Sequence, residues 1–131
     1  MEKKVINPKT IAPPVYNAYS HGIKVGNLLF IAGQVPQDAQ GRITAIRDIR
    51  KQTEQVFENI KAILAEAGAT LDNVVKLNLY MVDMDNNYQG YTEVRSRYLQ
   101  GGQKPASTLV EVKSLVPKEA LIEIEAVAVL D

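Results

Sequence analysis

The sequence predicts an α+β fold, one mixed β-sheet with two helices packed on one of its faces. Three observations carry that expectation: a strongly amphipathic helical stretch, several runs that alternate with a period of two, and the order in which they follow one another. At 131 residues the chain fits a single domain, residues 1–131, because a second core could not be filled at this length.

Strands are expected first at Tyr19–Val25 and Leu28–Val35, with Gly26-Asn27 as the tight turn between them, since both residues tolerate positive φ. The main helix follows. Ile49, Val56, Ile60, Ile63, Leu64 and Ala67 recur at spacings built from three and four, which is one buried helical stripe. Asp48 is placed to cap its start, and Gly68 supplies the left-handed residue that commonly follows a helix end. A strand at Val74–Val82 comes next. A weaker helix over Asn87–Leu99 has Tyr91, Val94 and Tyr98 on one face and Gly101-Gly102 beyond its end. Thr108–Val112 and Leu121–Leu130 complete the strands.

Side chains two apart on a strand share a face. In the last strand Ile122, Ile124, Ala126 and Ala128 form an apolar set opposite Glu123, Glu125, Val127 and Val129. In the middle strand Val75, Leu77, Leu79 and Met81 oppose Val74, Lys76, Asn78, Tyr80 and Val82. The second face thus mixes hydrogen-bonding groups with aliphatics, a pattern suited to packing against another copy of the chain. A monomer with scattered surface valines is the plain alternative.

Hydrophobic residues at 46% and charged residues at 23% fit a globular chain and exclude a disordered or fibrous one. No cysteine and a single histidine exclude disulfides and thiolate sites and speak against zinc, so no metal is expected. Nothing resembles a signal peptide or a membrane span, and cytoplasm is the expected location with no membrane partner. Fifteen basic residues balance fifteen acidic ones, which argues against nucleic acid as a partner.

Several stretches carry a resemblance: Ala18-Tyr19-Ser20-His21-Gly22, Val25-Gly26-Asn27, Ile31-Ala32-Gly33-Gln34-Val35-Pro36, Asn59-Ile60 with Ala67-Gly68, Val75-Lys76, Lys104-Pro105-Ala106, Leu115-Val116-Pro117, and Ile122-Glu123-Ile124-Glu125-Ala126-Val127-Ala128-Val129. From about Asn7 to Val129 the chain resembles the Rid family of reactive intermediate deaminases, also described as L-PSP endoribonucleases. The resemblance implies a chorismate-mutase-like fold and a homotrimer whose sheets form a central barrel, with clefts between subunits for a small-molecule ligand. It implies cofactor-free hydrolysis of an imine or enamine to a keto acid and ammonia.

Carried over by position, the resemblance assigns Tyr19, the turn residues Ala32 and Gly33, and Glu123 as the residue that holds water. It departs at Ser107, where the family's carboxylate-clamping arginine is expected, at Thr92 for an asparagine, and at Leu109 for a frequent cysteine. The chain looks like an atypical member in this respect. Ser107 and Thr108 offer neutral hydroxyls where a charged fork would bind more strongly, and Arg95 or Arg97 are candidates to restore the charge from the second helix.

Burial and the neighbouring Glu125 should both raise the Glu123 carboxyl pKa, although an ion pair with Lys76 or Lys113 is a purely structural alternative. His21 shares parity with Tyr19 and is expected to line the cleft as a proton carrier, or else to be a satisfied strand residue. Three functions follow: an imine or enamine deaminase, an aminomuconate-type enzyme among its forms; a non-catalytic metabolite-binding or regulatory trimer, favoured by Ser107; and a ribonuclease, disfavoured by the balanced charge.

Overall fold

The computed structural model describes residues 1–131 and contains eight principal elements. In chain order these are β1 (Lys3–Ile6), β2 (Gly22–Val25), β3 (Leu28–Gln34), α1 (Ile49–Glu66), β4 (Val74–Val82), α2 (Met84–Tyr98), β5 (Ala106–Val112) and β6 (Ile122–Val129). One sheet holds all six strands in the order β1-β2-β3-β6-β4-β5. Only β4 and β5 run parallel, and α2 supplies the crossover that a parallel pair requires.

Local chemistry sets the element ends. Asp48 accepts the backbone N–H of Lys51 at 3.1 Å, the N-cap bond expected of it. Gly68 takes φ +80° beyond the end of α1. In the β2–β3 turn only Gly26 adopts positive φ, +58°, and Asn27 does not.

The alternation of β6 survives intact: Ile122, Ile124, Ala126 and Ala128 are buried, whereas the residues between them are half-buried. The helical stripe of α1 is matched as well, with Val56, Phe57, Ile60, Ile63 and Leu64 fully buried against the sheet. Together these faces form a core of 20 buried residues. Gly90 of α2 meets Ile49 of α1 so closely that a β-carbon there would collide with the Ile49 side chain, which fixes the helix–helix approach.

A strand that the sequence reading did not include opens the sheet: Lys3–Ile6 pairs with β2 as β1, its two lysines suiting an edge strand. Four expectations need correction. β2 begins at Gly22 rather than Tyr19: its ladder with β1 stops at the Ile6–Gly22 pair, and the N–H of His21 just before it is taken by the Asn7 side chain at 2.8 Å. β5 begins at Ala106, which brings Ser107 into the ladder. The second helix begins at Met84, not Asn87. In β4 the register slips between Val74 and Lys76, so Val74 turns into the core and Val75 is exposed, the reverse of strict alternation.

Candidate functional site

The decisive irregularity is in β3. Its ladder with β6 pairs Ile31 with Ala126 and Gln34 with Ile124, so Ala32 and Gly33 together oppose the single residue Glu125. Such a bulge redirects side chains. Gln34, which simple alternation from Ile31 would turn outward, instead lies 1% exposed on the inner side. Gly33 meets Glu123 directly: a β-carbon on it would overlap the Glu123 carboxylate. The constraint is one of space, not of φ: any side chain there would displace the Glu123 carboxylate from this position.

Around this contact is a cavity of about 350 Å³ whose walls include Tyr19, Ala32, Gly33, Pro117 and Glu123. Glu123 points into it from β6, and no lysine or arginine forms an ion pair with it. Lys76, its suggested partner, donates instead to Thr108 Oγ1 at 3.0 Å. Burial first, and the Glu125 charge second, hold the Glu123 carboxyl above the ordinary glutamate value. Glu125 itself accepts a short hydrogen bond from the Tyr80 hydroxyl, a bond that raises the tyrosine's pKa. The two carboxylates thus differ: one is tied to a phenol and the other is free to act on a ligand.

His21 does not line the cavity. It is 1% exposed beneath it, with the Tyr19 ring edge-on at 6.0 Å. Its Nε2 lies 2.7 Å from the Ala12 carbonyl, which can only accept, so that nitrogen carries the proton and Nδ1 accepts from the Gln34 amide at 3.2 Å. Gln34 donates its other N–H to the Ala32 carbonyl at 3.0 Å. One buried chain therefore runs from the segment before Tyr19 to the bulge. The expected proton carrier is a brace, because the bulge sends Gln34 inward to engage it.

Two buried amides on α1 brace the rest of the rim, and sequence reasoning misses them. Asn59 donates to the carbonyls of Val35 and Gln37. Gln52 donates to the Glu119 carbonyl and accepts from the Leu121 N–H, fixing the loop before β6. Their signal is the presence of polar residues inside a stripe that is otherwise apolar.

The remaining candidates lie elsewhere on this chain. Ser107 pairs alongside Leu77 and shares its side of the sheet, lining a second cavity of about 530 Å³ with Arg95, Ser96 and Leu99 of the α2 end. Thr108 faces the opposite side, so the two hydroxyls expected to act together are separated by the strand's own alternation. Leu109 packs against the core, and Thr92 on α2 has a hydroxyl sealed from solvent without a hydrogen-bond partner. Arg97 pairs with Glu54 at 2.8 Å, while Arg95 reaches the Ser107 cavity.

The outer face of the sheet carries Leu28, Phe30, Val75 and Val110, each at least 38% exposed, next to half-buried Val127 and Val129. No helix is long and apolar enough to cross a membrane, and no group of three or more His, Asp or Glu is placed to hold a metal ion.

A family model described as endoribonuclease L-PSP matches residues 9–130. A RutC family protein of Pyrococcus abyssi is 48% identical over 128 residues, 98% of each chain. A protein of Dermatophagoides farinae named 2-iminobutanoate/2-iminopropanoate deaminase is 30% identical over the full length of both. Among solved structures, YyfA of the Rid family from Yersinia pestis superposes with a TM-score of 0.89 at 38% identity, covering 98% of this chain and 100% of its own.

Proposed function

The chain belongs to the Rid family, whose model is described as endoribonuclease L-PSP, and from that premise we propose that it hydrolyses the C=N bond of a small imine, or of an enamine through its imine tautomer, in clefts between the copies of a homotrimer. The observation that carries the reading is Glu123, a half-buried carboxyl without a cationic partner, pressed against Gly33 in a cavity that Tyr19 also lines.

In this reading Glu123 takes a proton from a water as the oxygen bonds to the imine carbon, and returns that proton to the nitrogen. The resulting carbinolamine collapses: its hydroxyl proton passes through Glu123 to the nitrogen, the C–N bond breaks, and ammonia leaves behind a carbonyl. Water is the only co-reactant. A carboxyl whose pKa is raised by burial is a stronger base than an ordinary glutamate, which suits a group that must take a proton from water and return it. Tyr19 closes the side of the cavity, and the bulge at Ala32 and Gly33 leaves backbone groups outside the regular ladder for the substrate.

The trimer is supported by the apolar outer face and by the position of Ser107 on an edge strand, away from Glu123. A site shared between copies brings the edge of one to the face of the next. The non-catalytic reading, a metabolite-binding or regulatory trimer, is favoured by the serine at 107. Ammonia release decides between them: 2-imino acids are generated in place by an amino-acid oxidase in the presence of a trapping amine. Faster release with the wild type, lost in Glu123→Gln, is the expected result; release no faster than the uncatalysed rate favours the binding reading.

A further inference from the structure

Charge pairing singles out one arginine. Arg42, Arg50 and Arg97 each pair with a carboxylate, Asp38, Glu93 and Glu54 respectively. Arg47 has no such partner but is exposed on a loop. Arg95 has none either, and it is half-buried in the wall of the cavity between α2 and β5.

Its immediate neighbour leaves the charge uncompensated. The guanidinium stands 5.7 Å from the centroid of the Tyr91 ring, and that tyrosine is 2% exposed, with burial pushing its hydroxyl up to about 12. A phenol in that state is neutral. Lys104, the other cation of the cavity, is already engaged: its ammonium donates to the carbonyls of Leu99 and Gly101 near the end of α2. The carbonyls take two of the three ammonium donors, so Arg95, resting on the Tyr91 ring and backed by Leu77, Leu99 and Pro105, is the cation of the cavity with a planar fork to offer a ligand. Ser96 and Ser107 add neutral donors beside it.

A planar fork of donors, partly shielded from water and without a counter-charge, matches a carboxylate. We propose that Arg95 makes the α2–β5 cavity a carboxylate-binding site, supplying from the helix the charge that Ser107 does not supply from the strand. The ligand class is a small monocarboxylic acid whose apolar part rests on the leucine and proline walls. The identification of that acid as the imine substrate rests on the deaminase reading; the binding of the carboxylate does not.

Binding is measured on the intact protein by calorimetry, with 2-oxobutanoate as the probe and its neutral amide as the control. The acid is expected to bind roughly tenfold to a hundredfold more tightly than the amide, the usual worth of a hydrogen bond to a charged group. Arg95→Ala removes that preference, Arg97→Ala keeps it, and adding Ser107→Arg to Arg95→Ala restores it. Equal binding of acid and amide by the wild type overturns the proposal, as does an unchanged preference in a folded Arg95→Ala. The two readings fail separately. Carboxylate binding through Arg95 without imine hydrolysis removes the deaminase reading and keeps the site, whereas hydrolysis by a folded Arg95→Ala at the wild-type rate, together with an unchanged acid preference, keeps the deaminase and removes the site.

Discussion

The two faces of the sheet are made by the same strands, yet one is finished and the other is not. On the helix side Ile124, Leu77 and Leu79 are 0–1% exposed and packed under α1. On the open side the neighbouring positions carry Glu123, the Glu125–Tyr80 pair, and Phe30 at 47% exposure. The difference teaches where stability ends and function begins: the inner face is filled by apolar volume, while the outer face keeps a carboxyl at a raised pKa and an apolar surface uncovered. Neither feature helps an isolated chain.

Substitutions on the two faces should therefore separate activity from folding. Glu123→Gln is expected to lower imine hydrolysis by about 10²–10⁴-fold, the usual contribution of a positioned acid–base group, while the fold stays intact. Retention of wild-type activity would place the chemistry elsewhere. Ile124→Ala, one residue along but on the inner face, is expected to cost about 2–4 kcal/mol of stability. Val127→Ala on the open face should cost much less in unfolding and act mainly on self-association, seen by light scattering. If the two variants unfold alike, the faces do not differ as described.

The brace beneath the cavity comes next in size. His21→Ala leaves the Ala12 carbonyl and one N–H of Gln34 without partners, each costing about 1–3 kcal/mol if water does not replace the ring. It should also loosen the bulge, so that activity falls even at temperatures where the variant is folded. A stability loss with normal activity would confine His21 to the core.

The smallest effect is a pH dependence. The folded-state pKa of Glu123 is raised, so the native protein holds its proton over a range of pH in which the unfolded chain has lost it. Stability then falls as pH rises from the ordinary carboxyl range through the raised value. Glu123→Gln abolishes that loss. The variant should unfold at a higher temperature than the wild type near neutrality and at the same temperature in acid, below the ordinary carboxyl range. A wild type at least as stable near neutrality would show that the carboxyl has found a partner in the assembled protein.

Much of this contrast is visible in the amino-acid order, and its limits are physical. The β6 alternation and the α1 stripe are legible because each buried face repeats at the period of its element. Glu123 is legible for the same reason, since its parity places it opposite Ile122 and Ile124. Bulges are not. The slip between Val74 and Lys76 reverses two valines of similar character, so the composition carries no trace of it. The bulge at Ala32 and Gly33 turns Gln34 inward and converts His21 from an expected cleft residue into a buried brace. Ser107 and Thr108 resemble one donor pair only if β5 starts after Ser107; with both in the strand they take opposite sides. Helical spacing cannot choose between Arg95 and Arg97, which are two residues apart; the choice rests on Glu54 across the helix pair.

The central claim is that the open face completes a site only with another copy, Glu123 coming from one chain and Arg95 from its neighbour. Co-expressing Glu123→Gln with Arg95→Ala, and assaying imine hydrolysis at substrate concentrations well below KM, tests it directly. Each variant alone should be nearly inactive, whereas random mixing in the proposed cyclic trimer leaves about a quarter of the clefts with both native residues, and so about a quarter of wild-type activity. A mixture no more active than the sum of its parts would contradict a site shared between chains.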